Sequence, residues 1–165
     1  MRLCKTNNTI IMKPVTTMVL AFGIVLIGIQ FIQPAHNKSG QVLPTDFTKV
    51  YKVPTNVQSV LQNACYDCHS NNTVYPWYSN LQPVAWMMER HVDNGKEKLN
   101  FSEFGRYSTR RQISKLKGIA GQIKDDEMPL SSYTWMHKKA RLPQAEKDLL
   151  ISWMSKTADS YSAAD

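Results

Sequence analysis

Cys65-Tyr66-Asp67-Cys68-His69 is the stretch of this chain best suited to chemistry. Its form is C-x-x-C-H, the attachment signature of a c-type haem. On a helix, Cys68 stands at i+3 and His69 at i+4 from Cys65, so the three side chains share one face. Two thiols placed this way can bond the two vinyl groups along one porphyrin edge, and the imidazole beside them can reach the iron. Two other chemistries use paired cysteines. A zinc site needs two further ligands; His91 and His137 could serve, yet their spacing matches no common zinc module. Thioredoxin-like exchange wants a βαβ setting, which the surrounding sequence lacks. The pattern points to one covalent haem c, bound through Cys65 and Cys68, with His69 as an axial iron ligand.

Iron has a second axial position. Met87, Met88, His91, Met128, Met136 and His137 carry suitable atoms. Met128 is favoured on mechanical grounds. Pro129 pushes it out of the α region at the end of a helical pattern, which lets the thioether leave the helix surface. Met87 and Met88 fall mid-helix and read as core filler. Met136 and His137 fall in a loop. His91, His137 and an open or water-ligated position stay as alternatives. Tyr75, Trp77, Tyr78 and Trp86 follow the motif closely. They could wall the cofactor, with Trp77 N–H or Tyr78 O–H reaching a propionate, or they could form an ordinary aromatic core. No nucleophile–base pair or paired carboxylates suggest an enzyme. Asp125, Asp126 and Glu127 read as a solvated helix end.

Four helical patterns must position these groups, and no strand or internal repeat is evident. From Thr55, a candidate N-cap, Val57, Val60, Leu61 and Ala64 fall on one face and lead directly into Cys65. Residues 71–80 are rich in turn-forming and aromatic residues and read as a loop. Pro83 to about Asn94 reads as a second helix ending at Gly95. Thr109 to Lys124 carries the stripe Ile113, Leu116, Ile119, Ala120 and Ile123, and Pro129 is expected to stop it. Pro143 to Ala158 is the fourth, with Pro143 suited to the first helical position and Leu142, Ala145, Leu149, Leu150, Trp153 and Met154 on one face. Four short helices with long loops bury little alone, so something else is expected at the centre.

The other strong feature is the run Val15–Ile32, which has no charge. As a helix it would span roughly 27 Å, near the hydrocarbon thickness of a bilayer. Arg2, Lys5 and Lys13 precede it, which by the positive-inside rule holds the start of the chain in the cytoplasm. The run is long for a signal peptide and lacks a good cleavage site at its end, so an uncleaved anchor is expected. Cys4 precedes the run and reads as an inert thiol. The expected organisation is residues 1–14 cytoplasmic, 15–33 a transmembrane anchor, 34–45 a polar linker, 46–158 the haem-binding domain and 159–165 a tail. With 20 Lys and Arg against 13 Asp and Glu the net charge is +7, and only +4 without the first 35 residues. That is poor evidence for nucleic-acid binding, and none is expected. Arg106, Arg110, Arg111, Lys115 and Lys117 form either a solvated helix face or a dock for an acidic partner.

The stretches CYDCHSNNTVYPWYSNLQPVAW (65–86), LNFSEF (99–104) and EMPLSSYTWMH (127–137) resemble the haem-binding domain family of exported bacterial proteins, common in Bacteroidetes and related to cytochrome c. The resemblance runs from about Asp46 to Trp153. It implies thioether attachment at Cys65 and Cys68, axial His69 and Met128 as the second ligand. The expectation is an all-α, cytochrome c-like domain on the periplasmic side of the inner membrane, preceded by a single transmembrane helix. It would be an electron carrier rather than an enzyme, working with redox partner proteins of the periplasm or membrane. A peroxidase-like haem enzyme and a haem-based sensor or assembly module are the alternatives, both requiring an open or labile sixth site.

Overall fold

The computed structural model describes residues 14–163. Arg2, Lys5, Lys13 and Cys4, with the expectations attached to them, lie outside those residues. Among the described residues the regular structure is helical: α1 (Pro14–Ile29), α2 (Phe47–Val50), α3 (Thr55–Ala64), α4 (Tyr66–His69), α5 (Val84–Lys98), α6 (Thr109–Lys124), α7 (Ser131–Met136) and α8 (Gln144–Ser162). Three 3-10 turns, Trp77–Asn80, Phe101–Arg106 and Lys138–Ala140, complete the set. An isolated antiparallel bridge joins Lys38 to Asn72.

The apolar stripe of α3 is buried as its spacing requires: Val57, Val60, Leu61 and Ala64 all face inward. Thr55 is the first helical residue rather than the cap; Pro54 occupies the cap position. α6 and α8 pack along one another. Leu116, Ala120 and Ile123 from the first meet Leu150, Met154 and Ala158 from the second. The sequence places α6 correctly, but Pro129 does not end it. The chain leaves the helix at Asp125, and Asp126 takes the left-handed conformation with φ 57°. The Glu127 and Met128 amides then fold back onto the Gln122 carbonyl at 2.9 and 3.1 Å.

Phe47 is fully buried at the meeting point of the helices. It packs edge-on against Phe101, Phe104 and Trp153, with ring centroids 5.2, 4.9 and 5.8 Å away. Edge-to-face packing suits the ring quadrupoles and adds to the area buried. α2, which carries Phe47, is capped by Asp46, whose Oδ1 accepts from the Thr48 amide at 2.9 Å.

α5 runs past Gly95 to Lys98 instead of stopping there. A Cβ on Gly95 would stand 2.5 Å from the Cys68 carbonyl oxygen. The glycine is a close-approach residue that lets α4 lie against α5, and not a helix stop.

α1 is 16 residues long and buries none of them. It is shorter than the expected span of 15–33, and among the described residues no helix is long and apolar enough to cross a membrane. Residues 36–41 run along the loop that follows the motif. The Thr73 amide donates to the Asn37 carbonyl and the Ser39 amide to the Asn71 carbonyl, both at 2.9 Å. His36 stacks on Tyr75 with centroids 4.1 Å apart.

Candidate functional site

α3 ends directly at Cys65, and α4 carries Cys68 and His69 one turn later. Both thiols are free. Burial pushes the Cys65 thiol up to about 12, with Cys68 adding to the effect. Cys68 is pushed up to about 11, by burial first and then by Asp67. Thiol–disulfide exchange needs an accessible thiolate, so this environment argues against the redox-thiol alternative. Among the described residues no three of His, Cys, Asp and Glu gather as a metal-holding group, which leaves the zinc alternative short of ligands.

His69 is held by its backbone neighbours. Its Nδ1 lies 2.9 Å from the Gly95 carbonyl and 3.1 Å from the Leu99 carbonyl. Carbonyls only accept, so Nδ1 carries the proton and Nε2 keeps its lone pair. Burial holds the ring below its ordinary pKa, against the two carbonyls, which favour the charged form. A neutral imidazole with its tautomer fixed by hydrogen bonds is the form that binds metals.

Cys65, Cys68 and His69 share the wall of a cavity of about 620 Å³ with His91 and Met128. That volume lies in the range of small-molecule and cofactor sites, ~300–1,000 Å³. The cavity is closed by α5 through Gly95, Lys98 and Leu99, and by α6 through Lys115, Gly118 and Ile119. A Cβ on Gly118 would meet nothing within 4 Å, so this face of α6 is open. A second cavity of about 410 Å³ adjoins the first, and Cys68, His91, Leu130 and Tyr133 line both. The donor set, the apolar walls and the fixed Nε2 fit a haem held at Cys65, Cys68 and His69.

The sixth-ligand candidates separate by place. Met128 and His91 line the first cavity. Met87, Met88, Met136 and His137 line the second. Met87 is exposed rather than core filler. His137 sits at the end of α7, not in a free loop. It stacks on Tyr133 at 4.2 Å, and its Nδ1 lies 3.2 Å from the Tyr133 carbonyl.

The aromatic string divides between tasks. Trp77 and Tyr78 wall the second cavity. Tyr75 donates from Oη to Glu89 Oε2 at 2.7 Å and accepts from the Asn37 amide at 2.8 Å. Trp86 Nε1 donates to the Ile32 carbonyl at 3.1 Å. The basic residues are likewise dispersed. Arg111 stacks on Tyr107, Arg106 pairs with Glu103 and Lys117 with Asp159, while Lys115 joins the cavity wall.

Spacing did not reveal the Asp67–Tyr133 pair. Asp67 Oδ2 accepts from Tyr133 Oη at 2.6 Å, and its Oδ1 accepts from the Val74 amide at 3.1 Å. The bond ties α7, and with it the segment after Met128, to α4. Burial first, and then Asp67, hold the Tyr133 hydroxyl well above its ordinary pKa, so it stays a donor. Asp67 occupies a variable position of the motif, and its partner lies far along the chain, so no local signal marked it.

The sequence model of a family described as a haem-binding domain matches residues 24–156, most of the chain. No curated protein and no solved structure matches it.

Proposed function

Because the chain belongs to the haem-binding domain family, we propose that it is a membrane-held c-type cytochrome that transfers single electrons outside the cytoplasmic membrane. The observation that carries this reading is the lock on His69. Its Nδ1 is committed to two carbonyls, which leaves Nε2 as the metal-binding nitrogen on a wall shared with two thiols. Cys65 and Cys68 would hold one haem c through thioethers. His69 and Met128 would be the axial ligands. When bound, the haem supplies a one-electron iron couple.

The chain binds, orients and shields. Leu99, Phe101 and Ile119 give the cavity apolar walls, which lower the local dielectric and limit water. Lys98 and Lys115 bring positive charge to the same wall, suited to the carboxylates such a cofactor carries. The Asp67–Tyr133 bond steadies the segment bearing Met128. α1, uncharged and with no buried residue, supports a membrane location. The cations that precede it in sequence favour the domain on the periplasmic side. Redox proteins of the periplasm or membrane would be the partners.

Purified protein should show low-spin iron and a reversible single-electron titration. Met128→Ala should give high-spin iron that binds carbon monoxide when reduced. Met128→His should stay low-spin at a lower potential, because a thioether favours ferrous iron relative to a second imidazole. High-spin iron in His91→Ala but not in Met128→Ala would move the axial role to His91. Native protein that is already high-spin would replace the carrier reading with a haem enzyme or gas sensor.

A further inference from the structure

α1 ends at Ile29, but the chain does not swing free of the domain after it. Gln30 Nε2 donates to the Gln82 carbonyl at 3.2 Å, and the Gln82 amide donates to Gln30 Oε1 at 3.0 Å. Gln82 Nε2 and Trp86 Nε1 both donate to the Ile32 carbonyl, at 2.7 and 3.1 Å. Gln33 Nε2 donates to the Asn80 carbonyl at 3.0 Å. Reciprocal side-chain and backbone bonds of this kind fix both position and direction, so the chain just after α1 is seated on residues 80–86.

The clamp sets two apolar groups side by side. Phe31 and Ile32, just past α1, are 85% and 61% exposed. Leu81 and Trp86, on the domain side of the clamp, are 47% and 39% exposed. Trp77, 78% exposed, opens the 3-10 turn that ends at Asn80, the acceptor for Gln33. Exposed apolar side chains gathered in one patch mark a surface that meets something other than water.

We propose that Phe31, Ile32, Trp77, Leu81 and Trp86 lie on the lipid bilayer, so that the domain rests on the membrane by one fixed face. The inference rests on α1 being the membrane segment. Lipid is the occupant because the patch continues α1, whose large apolar side chains are exposed except for the half-buried Ile29 at its end. Tryptophans at the point where a chain leaves a membrane settle at the headgroup level, with the ring in apolar contact and the N–H in a polar one. Trp77 also walls the second cavity beside Tyr78 and Met87.

The test uses the full-length holoprotein in phosphatidylcholine vesicles that carry a photoactivatable group near the glycerol end of the acyl chain. Labelled peptides are mapped by mass spectrometry. The expected result is lipid label in α1 and in residues 77–86. Leu81→Asp should cut the label in 77–86 several-fold and leave that in α1 unchanged. Label confined to α1 overturns the resting face and leaves the membrane segment standing. Label in neither overturns both. Cross-links from 77–86 to a second copy, in place of lipid, overturn the proposal in favour of self-association.

Discussion

Gly95 lies inside α5, where alanine would ordinarily be better by about 1 kcal/mol. A Cβ there would stand 2.5 Å from the Cys68 carbonyl oxygen, and the Gly95 carbonyl accepts from His69 Nδ1. A clash with backbone cannot be relieved by a rotamer change, so packing should outweigh propensity. Gly95→Ala should lower stability by about 1–3 kcal/mol in a urea titration. Gly121→Ala is the control: it lies in α6 with nothing within 4 Å of the added Cβ, and should gain up to about 1 kcal/mol. A stabilised Gly95→Ala would show that α4 does not pack on α5 as described. At this scale the candidate residues Cys65, Cys68 and His69 were visible from their mutual spacing alone, and the structure sets them on one cavity wall. Their supports were not visible. The Gly95 and Leu99 carbonyls carry no sequence signal, and Tyr133 meets Asp67 only once the chain has folded.

α3, α6 and α8 could be read from their apolar stripes because each stripe, apart from Leu142 ahead of α8, lies within one helix. α2 and α7 have four and six residues, too few to be stable alone, and depend on contacts elsewhere in the fold. The end of α6 at Lys124 is where the sequence places it, whereas α5 and α8 run past their expected ends, to Lys98 and Ser162. A glycine needed for close approach looks the same in sequence as one that ends a helix, which explains α5. The left-handed Asp126 ends α6 before Pro129 is reached. α7 is held to α4 through the 2.6 Å bond from Tyr133 to Asp67. Tyr133→Phe should cost about 1.5–3 kcal/mol, the usual value of a hydrogen bond to a charged group. Amide hydrogen exchange should quicken in residues 128–136 and stay unchanged in α3. Uniform quickening across the domain would mean that Tyr133 serves global packing instead.

In the whole molecule the cavity adjoins the core and shares Phe101 with it. Phe47, Phe101, Phe104, Leu116, Leu150 and Met154 fill the fully buried core. The cavity lies to one side, between α4, α5, α6 and the segment from Met128 to Tyr133. Four short helices with long loops bury little alone; the aromatic cluster around Phe47 supplies part of what their centre needs, and the cavity is where a large cofactor would supply more. The polar segment after α1 reads as a tether, yet its bonds to the 70–75 loop were hidden because they join residues more than thirty positions apart. The proposed function requires that this cavity hold one haem bound covalently to Cys65 and Cys68. It is tested most directly by haem staining and intact mass of the denatured protein. The stain should survive the denaturing gel and the mass should be raised by one haem, and both should be lost when Cys65→Ala is combined with Cys68→Ala. A double variant that keeps its haem through denaturation, or a native chain that sheds it, would show that Cys65 and Cys68 do not hold the haem covalently.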